Sequence, residues 1–312
     1  MRISVIIVSY NTRQLLRECL EALGTEFEVI VVDNASRDGS ADAVREEFPH
    51  VVLVENAANR GFGAANNQGL AVMTGDLALL LNSDARPEPG AIRALAAVFE
   101  PNPDQNQVIA AGGALHFPDG RLQQSACREL TLWAVFCEQF LLEKLFPNSQ
   151  QFSPYWMSSR LQKLGPGPHE VEQVMGACLM FRPVEKFNED FFLYTEDTDL
   201  CKRLRRHGKI LYVPTAKFIH HLGASSESTR WESVARYNRG KELYFELHHG
   251  KIAAKLCLVL NRAGALLRVL TSLPIALLTL GRKSRKKFEI FKRVLFAPIS
   301  GPPLPPDSSP KP

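Results

Sequence analysis

An α/β fold with a largely parallel sheet is what this sequence predicts over its first hundred residues, on three observations. Continuous apolar, β-branched runs of five to seven residues recur there. Amphipathic helical patterns separate them, and polar residues gather where each run ends.

"ISVIIVS" (3–9) is apolar throughout, as a strand buried on both faces should be. Residues 12–23 place Leu15, Leu16, Cys19, Leu20 and Leu23 on one helical face. "FEVIVV" (27–32) is a second strand, and 40–48 a short helix opened by a serine cap. A third strand at 51–55, a helix at 63–73 and a fourth strand at 77–81 complete the alternation. From 108 the rhythm changes. "VIAAGGALHFPDGRLQQS" turns at Pro-Asp-Gly and reads as a hairpin. An apolar helix is expected at 130–146, a Pro/Ser/Gly-rich loop at 147–170, and strands at 172–181 and 209–214, before "KFIHHLGASS" at 217–226. Between those strands "YTEDTDLCKRL" (194–204) sets Glu196, Asp197 and Asp199 at the head of a basic helix.

The composition, 45% hydrophobic and 22% charged over 312 residues, is that of a globular protein. Six cysteines are scattered without a C-x-x-C pair, and no cleavage-site pattern precedes the first strand, so reduced thiols and a cytoplasmic location are expected. The net charge of +4 is unevenly spread: residues 282–293 hold seven basic side chains against Glu289 alone. Before them, 251–281 is apolar but carries Lys255, Arg262 and Arg268, and its longest uncharged run, 269–281, has 13 residues, short for a bilayer span. Amphipathic helices lying in a membrane interface, with a basic cluster toward anionic lipid, are expected; a helical pair packed on the main domain is the alternative. The tail from Gly301 reads as disordered.

In doubly wound sheets, ligands bind beyond the carboxyl ends of the strands. Tyr10 and Asn11 follow the first strand, Asp33 and Asn34 the second, Asn59, Gly61 and Asn66 the third, and Asn82, Ser83 and Asp84 the fourth. Four such clusters point to a binding crevice; singly, each would be a turn. No glycine-rich turn follows the first strand ("SYNTRQ"), and no G-x-x-x-x-G-K-[ST] occurs, which argues against a dinucleotide and against a P-loop. A mononucleotide whose diphosphate is neutralised by a metal remains. Asp84, held directly after a rigid strand, suits magnesium or manganese. Of His220 and His221, adjacent on an extended piece, at most one faces the site.

The ordered set "VIIVSYN", "LLRECLEAL", "EVIVVDNASRDGS", "NRGFGAANNQGL", "LALLLNSDA", "GALHFPDGRLQQS", "VMGACLMFR" and "FNEDFFLYTEDTDLCKRLRRHGKILYVPTAKFIHHLGASS" resembles inverting glycosyltransferases of family two, nearest the bacterial rhamnosyltransferase-like group, over about residues 1–250. The resemblance implies the GT-A fold: a nucleotide-sugar-binding part at 1–107 and an acceptor-binding, catalytic part at 108–228, before a helical region at 229–300. It implies that Tyr10, Asn11 and Asp33 hold base and ribose, and that Gly61 and Asn66 shape the nucleotide-sugar pocket. Asn82-Ser83-Asp84 takes the place of a metal-binding D-x-D, with Asn82 for the first Asp, and His220 aligns with a third metal-site residue. Asp197 falls at the catalytic base, supported by Glu196; Asp199 pairs with Arg203 at i,i+4 or binds substrate.

The expected activity is transfer of a sugar, best L-rhamnose from dTDP-L-rhamnose and otherwise from a UDP-sugar, to a lipid-linked or cell-envelope glycan, with Mg2+ or Mn2+. The work would be done at the cytoplasmic face of the inner membrane, with no nucleic-acid partner. A non-catalytic GT-A module that binds nucleotide sugar, and a sugar nucleotidyltransferase, are the rival readings.

Overall fold

A computed structural model of the chain describes residues 1–100, 107–161, 163, 165–221, 230–278 and 282–297. The expected boundary at 228–229 and the tail from Gly301 lie outside them. The chain divides into two compact units. One comprises Met1–Glu129, Trp156–Phe192 and Glu196–Ser225; the other comprises Leu130–Tyr155, Leu193–Thr195 and Ser226–Pro312.

The first unit is a sheet covered by helices. Its first half runs β1 (Ile3–Ser9), α1 (Arg13–Leu23), β2 (Glu28–Asp33), α2 (Ser40–Glu47), β3 (Val52–Glu55), α3 (Phe62–Val72), β4 (Leu77–Leu81), β5 (Ala85–Pro87) and α4 (Ala91–Ala96). The expected elements sit within a residue or two of these bounds because each run is long and of one period. Then come β6 (Val108–His116) and β7 (Ala126–Cys127). In the helical unit follow α5 (Leu132–Gln139) and α6 (Leu142–Leu145). The first unit resumes with α7 (Ser158–Leu161), β8 (His169–Val171), β9 (Gln173–Val174), β10 (Cys178–Phe181), α8 (Glu196–Leu204) and β11 (Lys209–His220).

The main sheet has the order β3-β2-β1-β4-β10-β6-β11-β5, with β8 added beside β11. β3, β2, β1 and β4 are parallel, so their carboxyl ends lie along one edge: Ser9 is level with Asp33, and Asp33 with Glu55. The second half of the chain enters differently. β10 runs antiparallel between β4 and β6, and β5 and β8 antiparallel to β11. Val5, Ile7, Leu79, Leu81 and Met180 fill one face with Leu16 and Leu20 of α1; Ile6, Ile30, Leu80 and Phe181 fill the other with Leu200 and Leu204 of α8.

Three elements differ from expectation for local reasons. The 130–146 helix is broken at Leu141, which sits at φ +64°. The 172–181 strand is interrupted at 175–177, where the chain turns across the site. The strand expected at 209–214 runs on to His220 as β11, with an irregularity between Val213 and Lys217. No disulfide joins the six cysteines, all of which are buried.

The helical unit is completed by α9 (Arg230–Leu278), interrupted at Gly250 (φ +84°), and α10 (Arg282–Phe296). Its interior is partly polar. Lys241, fully buried, donates to Glu138 Oε2 at 2.8 Å, and Arg268 donates to the carbonyls of Gln139 and Glu138 at 2.6 and 3.0 Å. Arg262 donates to the carbonyls of Val294 and Ala297, both at 2.6 Å, neutralising the carboxyl end of α10. Arg262 and Arg268 thus serve the unit's own packing.

Candidate active site

The candidate site residues, from Tyr10 to His220, all lie in the sheet unit. Side-chain hydrogen bonds tie the four strand ends together. Thr12 Oγ1 donates to Ser83 Oγ at 2.8 Å, joining the ends of β1 and β4. Asn11, at φ +55°, takes a bond from Arg37 N–H at 2.7 Å through its Oδ1, and its own N–H donates to Ser36. Tyr10 is half-buried beside it, after β1.

Asn34 is used up. Its Nδ2 donates to Asn59 Oδ1 (2.9 Å) and to the carbonyl of Gly61 (3.1 Å). Its Oδ1 accepts from Arg60 N–H (3.0 Å) and Asn56 Nδ2 (3.1 Å). All four hydrogen bonds its amide can make go to protein, so it braces the loops after β2 and β3 and has none left for a ligand. Asn59 Oδ1 likewise takes the N–H of Gly61. Gly61 itself is at φ +87°, and a Cβ there would lie 2.4 Å from the carbonyl oxygen of Phe192, so only glycine admits this approach.

Two buried oxygens remain open. Asp33 accepts from Ser36 N–H through Oδ1 (2.8 Å), but its Oδ2 has no partner among the described residues. Asn66 on α3 donates to the Phe62 carbonyl (2.9 Å), and its Oδ1 is likewise without one. A buried acceptor left unmade costs about 1–3 kcal/mol. Both oxygens are acceptors that a ligand N–H or O–H would satisfy.

Beyond β4, His220 Nε2 lies 3.2 Å from Asp84 Oδ1 and 3.3 Å from Asn82 Nδ2. The pairing of β5 with β11 sets Ala85 opposite His220, and His221 N–H donates to the Asp84 carbonyl at 3.0 Å. His221 therefore engages through its backbone, and the His220 imidazole, 2% exposed, is the one facing the carboxylate. An imidazole nitrogen and a hard carboxylate oxygen side by side suit a divalent cation. No group of three His, Cys, Asp or Glu side chains converges among the described residues, so such an ion would complete its shell with water and ligand oxygens.

Asp197 heads α8. Its Oδ2 accepts from Gly176 N–H and its Oδ1 from Thr198 N–H, both at 2.8 Å. Burial pushes its carboxyl above the usual carboxylate range, those N–H groups pulling the other way. Burial, and then the Asp197 charge, push Glu196 well above it, and Glu196 Oε2 has no partner among the described residues. Two non-glycine residues at positive φ, Tyr194 (+72°) and Thr195 (+75°), precede this pair, a backbone strain of the kind that concentrates at functional sites. Asp199 takes two bonds from Arg203, at 3.0 and 2.8 Å, and Arg203 also holds Glu185 and the Lys186 carbonyl. Of the three acids, Asp199 is the one with an ion-pair role.

Gly176 and Gln123 carry no chemical signature of their own in the sequence. Gly176 was inside an expected strand, yet its N–H grips Asp197 while the carbonyl of Ala177, the next residue, accepts from Asn82 N–H at 3.1 Å. One dipeptide thus links the Asp197 and Asp84 loops. A glycine within a strand run was the available signal. Gln123, in the quoted "GRLQQS", bonds His220 on two sides.

The family model for glycosyl transferase family 2 matches residues 4–159, half of the chain. The chain belongs to this family. The matched segment of this glycosyltransferase includes Asp33, Asn66 and Asp84 and ends before Asp197 and His220. It is 28% identical over 266 residues to an N-acetylglucosaminyl-diphospho-decaprenol L-rhamnosyltransferase of Mycobacterium tuberculosis, covering 78% of this chain and 84% of that one. It is 25% identical over 243 residues to the low-salt glycan biosynthesis hexosyltransferase Agl10 of Haloferax volcanii, covering 74% and 70%. Among solved structures, GalNAc-T7 with UDP, GalNAc and Mn2+ superposes at a TM-score of 0.53 with 15% identity, covering 95% of the transferase and 56% of that chain. The fold is GT-A.

Proposed function

We propose that this transferase moves a sugar from a nucleoside-diphosphate donor to a hydroxyl of a lipid-linked glycan with inversion at the anomeric carbon, L-rhamnose from dTDP-L-rhamnose being the leading donor. The observation that carries the reading is Asp197. It is a carboxylate of raised proton affinity, oriented by two backbone N–H groups and joined through Gly176-Ala177 to the Asn82–Asp84 loop. In the displacement the acceptor oxygen bonds to the anomeric carbon, the bond from that carbon to the diphosphate oxygen breaks, and the acceptor proton passes to Asp197. Asp33 Oδ2 and Asn66 Oδ1 are the open acceptors for the nucleotide sugar. Asp84 and His220 would hold the divalent ion, with Asn82 beside them; when bound, that ion offsets charge on the departing diphosphate. Tyr10, Asn11, Gly61 and Ser83 line the strand ends, with Asn34 and Asn59 bracing them.

The donor and acceptor classes rest on the mycobacterial relative, which covers most of both chains. Incubating the protein with dTDP-L-rhamnose, UDP-sugars and GDP-mannose in the presence of Mn2+ tests the reading. Release of dTDP that depends on a polyprenyl-diphosphate glycan is the expected result. Tight donor binding with no release would make the chain a binding module, and pyrophosphate release from sugar phosphate and dTTP would make it a nucleotidyltransferase.

The same reading includes an anionic bilayer as the surface on which the acceptor is met. Among the described residues the sheet unit exposes four large apolar side chains and the helical unit eleven. Six of these, Ile252, Leu256, Val259, Leu266, Leu270 and Leu273, follow heptad-like spacing along one face of α9 after Gly250. By length and composition Trp231–Leu273 qualifies as a membrane span, but Gly250 interrupts it and Arg262 and Arg268 are committed to protein carbonyls. A helix lying in the interface fits better. No acid occurs between Glu246 and Glu289, so a second copy would set Lys251 and Lys255 against like charges, whereas anionic lipid complements them. The full chain is expected to float with phosphatidylglycerol vesicles and much less with phosphatidylcholine. Leu256→Asp with Leu270→Asp should weaken this about a hundredfold, two leucines being worth about 3 kcal/mol. Equal flotation, or a stripe-dependent dimer without vesicle binding, would refute the surface.

A further inference from the structure

The Asp84–His220 pair is held by a residue with no role so far. Gln123, 5% exposed, follows the hairpin turn, and its N–H donates to the Leu115 carbonyl at 2.8 Å. Its side chain makes two bonds to His220: Nε2 donates to the His220 backbone carbonyl at 2.6 Å, and Oε1 lies 2.9 Å from His220 Nδ1. The first bond fixes the second. Were the amide turned over, its oxygen would face a carbonyl oxygen, two acceptors without a proton between them. With Nε2 committed to the carbonyl, Oε1 must face Nδ1, and an amide oxygen can only accept. Nδ1 therefore carries a ring hydrogen, and in the neutral ring Nε2 is the nitrogen with the lone pair, which a cation shared with Asp84 Oδ1, 3.2 Å away, would occupy. The Asn82 amide, which donates toward that same Nε2 at 3.3 Å, agrees with this tautomer.

We infer that Gln123 is a positioning residue: it locks His220 in the tautomer and ring orientation that leaves Nε2 free to ligate a divalent cation beside Asp84. The inference rests on the metal-site reading above. The ring would otherwise be free to place its hydrogen on Nε2, where the nearby Asp84 carboxylate would accept it and the imidazole would be lost as a ligand. Gln123 removes that competition by offering the hydrogen a buried acceptor on the far side of the ring. Outer partners of this kind typically change metal affinity by about 10- to 100-fold.

Two measurements on the full chain test this. In protein labelled with 15N-histidine, long-range nitrogen–proton correlation is expected to show His220 protonated on Nδ1 and bare on Nε2, and Gln123→Leu to shift the hydrogen toward Nε2. Mn2+ titration followed by electron paramagnetic resonance is expected to show Gln123→Leu binding about 10- to 100-fold more weakly. Gln123→Glu, whose acid form can reproduce both bonds to His220, is expected to recover most of the loss and guards against a variant that merely unfolds. Wild-type His220 carrying its hydrogen on Nε2, or Gln123→Leu binding Mn2+ as the wild type does, would overturn the inference. Asp84→Ala serves as the reference: if it too binds Mn2+ unchanged, the metal-site reading itself fails, whereas loss in Asp84→Ala with none in Gln123→Leu removes only the role of Gln123.

Discussion

Asp197→Asn is expected to lower kcat by about 10²- to 10⁴-fold, the range for removing a positioned general base, with donor affinity unchanged. The amide keeps the shape of the carboxylate and one oxygen for the Gly176 or Thr198 N–H, but its NH2 must oppose the other. A stability loss of about 1 kcal/mol accompanies this and is read separately by thermal melting. The pH profile gives a second reading. A base works only when ionised, and burial raises the affinity of Asp197 for its proton, so activity should fall, as pH drops, through a value above the ordinary 3.8. Burial, and then the Asp197 charge, also raise Glu196, so the apparent value belongs to the pair. Full turnover by Asp197→Asn, or an acid limb at the ordinary carboxylate value, would remove the assignment.

Asp84→Ala carries the second large effect. Calorimetric titration of the nucleotide sugar with and without Mn2+ is expected to show the metal-dependent part of donor affinity falling about 100-fold, some 2.7 kcal/mol. The metal-independent part should persist, because the open oxygen of Asp33 sits at the end of a different strand. Metal-dependent binding equal to the wild type would place the cation elsewhere.

Much of the fold was legible because β1, β2 and β4 are continuous apolar runs, and buried parallel strands are apolar on both faces. The second half resisted at points of backbone geometry. Leu141 in a left-handed conformation, the turn at 175–177 and the extension of β11 to His220 depend on what the chain meets in three dimensions. The candidate site followed the same division. Asp33, Asp84, Asp197 and His220 stood out because carboxylates and imidazoles at strand and helix ends carry chemistry on their face. Gln123 and Gly176 did not, since a glutamine after a turn and a glycine in an apolar run have commonplace readings.

The sequence by itself determined the α/β class, the parallel half-sheet, the family and the set of acids worth asking about, because these depend on periodicity and on residue order along the chain. Only the tertiary structure decided how those residues are partnered. Hydrogen-bond saturation makes Asn34 a brace and leaves Asp33 Oδ2 open, and the grip of Gly176 and Thr198 separates Asp197 from Asp199, which Arg203 claims. Two bonds from a residue 97 positions away set which nitrogen of His220 faces Asp84. Partners so distant in sequence are chosen by packing, and the donors and acceptors they leave unused appear only when every neighbour is in place.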